Sequence, residues 1–186
     1  CCLMVPSIPV RAADMAAAIQ GRYEKLDSFS ADFEQTLAHK ESGSIEKRHG
    51  KLVFKKPLLI RWQTAAPHEE TLVVTGKEIW QYLPDEAVAY RYPPSLVQDS
   101  RSIIQVITGQ AALHKDFEVK NEGKEDGLAK LRLFPKEPAP QMVEAVIWVE
   151  PDTAYIRRAT ILDFYGNSNE VRFTRFSPDV SPRASE

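Results

Sequence analysis

"GKLVFKKPLLIRWQ", Gly50 to Gln63, holds the pattern that decides the fold. Leu52 and Phe54 stand two apart. Lys56-Pro57 interrupts, and Leu58, Ile60 and Trp62 then recur at period two with Leu59, Arg61 and Gln63 between them. Such alternation puts apolar bulk on one face of a strand and polar groups on the other. Proline has no N–H to give a central ladder, so Lys-Pro reads as a short connection between two strands.

The pattern extends in both directions. Upstream, in "SFSADFEQTL", Phe29, Ala31, Phe33, Gln35 and Leu37 alternate with Ser28, Ser30, Asp32, Glu34 and Thr36. Before it, "DMAAAIQGRYEKLD" (14–27) repeats Met15, Ile19, Tyr23 and Leu26 at helical spacing among helix-favouring alanines. Downstream, strands are expected near 46–56, 58–64, 70–75, 78–83 and 87–92, with a hairpin tip at Thr75-Gly76-Lys77. "YPPSL" breaks the sheet pattern. "DSRSIIQVITG" then reads as a second, short helix, Asp99 its N-cap and Gly109 its stop, with Ile103, Ile104, Val106 and Ile107 on its apolar side. It fits a movable flap or a fixed plug equally well. Strands resume near 115–121, 128–134, 142–149, 155–163 and 169–176. About eleven closely spaced strands and two helices, with no repeat or linker, predict one mainly β domain, an antiparallel barrel or sandwich.

Composition narrows the function. The 186 residues are 43% hydrophobic and 27% charged, with net charge -2 and pI near 6.1. That balance gives no basic field for nucleic acid. No apolar run reaches the roughly 20 residues of a membrane-spanning helix. The N-terminal "CCLMVPSIPVRAADM" fits an export-signal remnant with small residues at a cleavage site, a mature lipoprotein starting at a lipidated Cys1, or a plain disordered end. Residues 1–13 are set apart on that basis, 14–177 form the domain, and 178–186 are expected to be a disordered tail. The two cysteines are adjacent, so they imply no disulfide framework.

A search for reaction chemistry returns little. His39, His49, His68 and His114 lie in polar stretches without metal-like spacing, and no phosphate loop or nucleophile elbow occurs. The acid pairs in "PHEET" (67–71) and "PDEA" (84–87) read as solvated turns, and "EKRHGK" and "YIRR" as strand ends or a docking surface. No catalytic residue, metal or cofactor is predicted. What remains is aromatic and aliphatic bulk on strands: Trp62, Trp80, Tyr82, Tyr90, Tyr92, Phe134 and Trp148. It serves either an ordinary core or a hollow lined with apolar groups.

"LDSFSADFEQT", "GKLVFKKPLLIRW", Pro67, "LVVTGKEIWQYLP" and "LRLFPK", in that order, resemble the periplasmic outer-membrane lipoprotein carrier family, from about Ala16 to Ser177. The resemblance implies an unclosed antiparallel barrel with a helical lid over an apolar cavity. It implies acylated lipoproteins as cargo, an inner-membrane ATP-driven (ABC-type) releasing complex as donor, an acceptor lipoprotein on the outer membrane, action as a monomer, and no catalysis. Carried over by position, Phe29, Ile60, Trp62, Leu72, Trp80 and Tyr82 would line the cavity, and Ile103, Ile104, Val106 and Ile107 the lid. Lys56 stands where the family typically has an arginine that latches the lid through backbone carbonyls, and lysine lacks that planar fork. The family's further Phe-rich strand and Pro-x-Gly loop after "VRFTRF" have no counterpart here. Other classes compatible with the pattern are a same-fold acceptor or carrier of another amphiphile, a lipoprotein sensor, and an enzyme.

Overall fold

The computed structural model describes residues 12–95 and 102–180. Eleven strands form a single antiparallel sheet: β1 Ser28–Ala38, β2 Ile45–Lys55, β3 Leu59–Thr64, β4 Glu70–Val74, β5 Ile79–Leu83, β6 Val88–Tyr92, β7 Phe117–Glu125, β8 Leu128–Pro135, β9 Glu144–Val149, β10 Ile156–Leu162 and β11 Ser168–Pro178. Their spatial order is β6-β5-β4-β3-β2-β1-β11-β10-β9-β8-β7. Two meanders, β1–β6 and β7–β11, are therefore welded where β1 pairs with β11, and the sheet ends in two edges that do not meet. This is the unclosed barrel that the family resemblance implies.

The helices are α1 (Ala12–Lys25), α2 (Ile103–Ile107) and the one-turn α3 (Leu113–Asp116), with a 3-10 turn at Pro84–Glu86. α3 was not anticipated. The topology dictates where α2 and α3 go. The chain leaves the sheet at edge β6 and re-enters at edge β7, so the segment between crosses the open side. α2 packs on β10, while α3 packs on β7 and α1.

The register makes the sheet one-sided. Side chains directly opposite in paired strands share a face. One row runs Phe29, Phe54, Ile60, Val74, Ile79, and the next runs Ala31, Leu52, Trp62, Leu72. On the other meander Val171, Ala159, Ile147 and Leu131 continue the same face. All but the half-buried Leu72 are buried in one cluster with Met15, Ile19, Tyr23 and Leu26 of and beyond α1. Phe29 is its hub, with ring centroids 5.3 Å from Phe54, 6.0 Å from Phe173 and 4.7 Å from Phe176.

Expected strand limits hold to within a few residues, except that β7 runs on to Glu125. The stretch set apart as a tail starts inside β11: Pro178 pairs with Phe29 and the Asp179 N–H donates to the Ser28 carbonyl at 2.7 Å. Residues 1–11 and 181–186, and with them the leader reading and the rest of the tail, lie outside the described residues.

The outer face is polar and laced across strands. Glu144, Arg132, Glu122, Lys130, Glu125, Arg158 and Glu170 alternate in charge from β9 through β8 and β7 to β11. The Arg158 guanidinium lies 3.4 Å from the centroid of the Trp148 ring, a stacked cation–π contact. The hydrogen bond from Arg132 holds Glu122 below its ordinary range, and that from Lys130 does the same for Glu125. A carboxylate whose folded pKa is depressed stabilises the fold above its unfolded pKa and loses that contribution as pH falls. The urea midpoint should therefore be flat near neutrality and fall once pH drops below the unfolded value of 4.5. High salt at pH 7 should reproduce part of the drop, because these groups are solvent-screened.

Candidate functional site

Only part of the expected lining faces inward. Phe29, Ile60, Trp62 and Leu72 stand on the concave face, and the Phe33 ring lies 4.6 Å from that of Trp62. Trp80 and Tyr82 do not. In the β4–β5 hairpin Val74 pairs with Ile79 and Val73 with Trp80, so Ile79 takes the inner position. Trp80 and Tyr82 turn outward, 39% and 46% exposed. The hairpin loop sets this parity: the Thr75 N–H donates to the Glu78 carbonyl, and Thr75 Oγ1 accepts the N–H groups of Lys77 and Glu78.

Nor is the concave face hollow. Ile104, Val106 and Ile107 of α2 are buried in the same cluster as Ile60 and Trp62, and Ile103 packs half-buried against it. Four consecutive residues, Ile104 to Ile107, are buried. A helix with no wet side is a plug. Apolar surface is stabilised by such contact, and α2 supplies it on the concave face, packed on β10.

The ends of α2 are specified locally. Asp99, expected as its cap, lies outside the described residues. The cap observed is Ser102, whose hydroxyl accepts the Gln105 N–H. At the other end Thr108 Oγ1 donates to the Ile104 carbonyl at 2.7 Å. Gly109, at φ +68, stops the helix as expected, for a reason invisible in sequence: a Cβ there would sit 2.1 Å from Cγ of Tyr23. Tyr23 is itself fixed, its hydroxyl oxygen accepting the Ile156 N–H at 3.1 Å, and burial pushes its phenol well above the ordinary value.

Lys56 latches a different element from the one expected. Its Nζ donates to the Glu24 carbonyl at 2.6 Å and its N–H to the Asp27 carbonyl at 2.9 Å, both at the C-terminal end of α1. An ammonium at a helix C-terminus meets unsatisfied carbonyls and the negative end of the dipole. The lid is fastened one residue along. Gln110 Nε2 donates to the Pro57 carbonyl at 2.9 Å. Sequence reading missed Gln110 because its partner is 53 positions away.

The cavities beside this core have many polar and charged residues in their walls. One of about 690 Å³ is lined by Asp32, Glu34, His49, Lys51, Glu69 and Glu70 among others. Of the acid pair expected to be solvated, Glu69 is exposed, whereas Glu70 is partly buried and engaged by Arg48 at 3.2 Å and Gln81 at 2.7 Å. A smaller one, about 400 Å³, lies at the N-terminal end of α2 between Leu37, Ile103 and Ile161. Among the described residues no group of three His, Cys, Asp or Glu could hold a metal ion, and no helix is long and apolar enough to cross a membrane.

Comparison with known proteins gives a consistent result. The family model for the outer membrane lipoprotein carrier protein LolA matches residues 24–185. An outer-membrane lipoprotein carrier protein of Pectobacterium carotovorum subsp. carotovorum is 39% identical over 72 residues, 39% of this chain and 36% of that protein. The matched stretch thus spans about a third of that relative's length. A protein of the same name from Yersinia enterocolitica is 26% identical over 164 residues, 88% of this chain and 78% of its own length. Among solved structures, an uncharacterized conserved protein from Thermus thermophilus superposes with TM-score 0.60 at 12% identity, covering 94% of this chain and 91% of that one, a likeness of fold alone.

Two substitutions separate the fastenings. Gln110→Ala should speed amide hydrogen exchange at Val106, Thr108 and Gly109 while leaving α1 protected. Lys56→Ala should do the reverse, loosening the last turn of α1. Gly109→Ala must displace the Tyr23 ring at a positive φ, and should cost about 1–3 kcal/mol of unfolding free energy by urea titration.

Proposed function

The chain belongs to the outer membrane lipoprotein carrier family, and from that premise we propose that it shelters the acyl chains of lipoproteins in the periplasm. It would receive them from an inner-membrane ABC-type releasing complex and pass them to an acceptor lipoprotein at the outer membrane. The observation that carries this reading is the plug. α2 is five residues long, buried, and sits on the concave face of a sheet that does not close.

The physical case is one of replacement. Three chains of about sixteen carbons, at about 0.8 kcal/mol per methylene, place on the order of 30–40 kcal/mol of transfer free energy against release into water. A carrier must offer an apolar surface of comparable quality without holding it permanently exposed. Here Ile104, Val106 and Ile107 of α2 are buried in the same cluster as Phe29, Ile60 and Trp62, with Leu72 packed against it. Acyl chains entering beneath α2 would exchange one apolar covering for another. Hydrophobic contact is non-directional, so tails of varied length fit the same face. The chemistry asks for no proton transfer, metal or cofactor.

The test contrasts the two faces of the sheet. A photoreactive residue at Leu72, half-buried and inward, should yield adducts with acylated protein when the periplasmic fraction is irradiated. The same residue at Trp80, outward on the neighbouring strand, should yield none. Equal labelling at both positions, or none at Leu72, would remove the carrier reading.

A further inference from the structure

One end of the sheet carries apolar side chains that the core does not use. Phe164 and Tyr165 form the tip of the β10–β11 hairpin and are 71% and 75% exposed, their rings edge to face with centroids 5.6 Å apart. Large aromatics at this exposure are uncommon, and a displayed pair is more informative than a lone one. Exposed Val143 adjoins the same hairpin, its N–H donating to the Leu162 carbonyl at 2.8 Å. Exposed Ile45 opens β2 opposite Ala38, which on its other side pairs with Ser168. Three loops thus bring apolar groups to one end.

The turn that displays the pair is tightly specified. Asp163 Oδ1 accepts the N–H groups of Tyr165 and Asn167, each at 2.8 Å, and Oδ2 accepts from Asn167 Nδ2 at 2.8 Å. The Phe164 N–H donates to the Pro140 carbonyl at 2.9 Å, and Asn167 Oδ1 accepts the Lys40 N–H at 3.0 Å. Both neighbouring loops brace the tip, while the two rings themselves contribute little to its fold. Side chains held out in this way are placed for contact with something outside the chain.

Charge decides what kind of surface suits it. The loops around the tip carry Lys40 beside Glu41 and Lys136 beside Glu137, and Asp163 lies in the tip itself with its carboxylate taken up by the turn, so this end offers no excess of cations to an anionic membrane. Phe and Tyr, one apolar and one with a polar end, are the types that settle at the headgroup level of a bilayer. The cavity beside Ile103 lies at this same end, at the start of α2. We infer that the Phe164–Tyr165 tip inserts into the interface of a zwitterionic phospholipid bilayer and so holds the lid end of the protein against the lipid surface. The purpose of this contact rests on the carrier reading, but the contact itself does not.

Flotation of the full chain with phosphatidylethanolamine–phosphatidylcholine vesicles tests it. The wild type should float with the vesicles, and added anionic lipid or salt should change the bound fraction little. F164S/Y165S should lower the bound fraction about tenfold with an unchanged unfolding midpoint. As a second readout, F164W should give a blue-shifted Trp emission on vesicle addition. A wild type that stays in solution with both vesicle compositions overturns the inference and leaves the tip to a protein partner. Binding that survives F164S/Y165S, or that requires anionic lipid, overturns it too. Photo-crosslinking at Leu72 is run in the same samples. Its failure alongside tip-dependent flotation would overturn the carrier reading and sustain the bilayer contact.

Discussion

A sheet of eleven strands that does not close has an apolar concave face and no second layer to put against it. Everything else follows from that constraint. A layer of secondary structure must bury its hydrophobic side against another. Two covers are present. α1, which precedes the sheet, lays Met15, Ile19 and Tyr23 on it, and the β6–β7 crossover lays α2 and α3 on it. The crossover is where a lid has to be. It joins the two free edges, and its two described helices pack on β10, β7 and α1.

The two covers are secured by different groups. α1 is tied by Lys56 at its C-terminal carbonyls, by Arg22 Nε donating to the Thr153 carbonyl at 2.7 Å, and by Tyr23 on the Ile156 N–H. α2 has a serine cap, the Thr108 bond back to Ile104 and, beyond it, the side-chain bond from Gln110 to Pro57. Gly109 against the Tyr23 ring joins one cover to the other. The Lys-Pro turn after β2 serves both covers, one through a side chain and the other through a carbonyl.

How much of this the sequence discloses depends on how local the cause is. Period-two alternation is a local signal, and the strands at 28–38, 45–55 and 59–64 are plain from it. Parity fails where both faces are apolar. "EIWQYL" has Ile79 on one side and Trp80 and Tyr82 on the other, and size alone favours the wrong pair. A four-residue hairpin loop decides the matter, through hydrogen bonds that composition does not reveal. The partners of Lys56, Gly109 and Gln110 are remote in sequence, so their roles emerge only when the crossover is folded back. Phe164 and Tyr165 escaped notice because they end a run that reads as strand. The expected cavity comes from the family resemblance, and apolar bulk on strands says only that something must fill the space, not what.

The identity of the filler has an energetic consequence. Full burial of an Ile or Val side chain is worth roughly 1.5–3 kcal/mol, so the three buried aliphatics of α2 stand for something under about 10 kcal/mol in all. On the proposed carrier reading, triacyl cargo would bring on the order of 30–40 kcal/mol that exposure to water would otherwise cost. The α2 cover would then be strong enough to keep the concave face closed and too weak to compete with tails already at its edge. A larger cover would exclude such cargo, and none at all would leave the concave face exposed to aggregation between copies. On that reading, the intermediate strength of a five-residue helix on an unclosed sheet is what would suit this fold to holding lipid transiently.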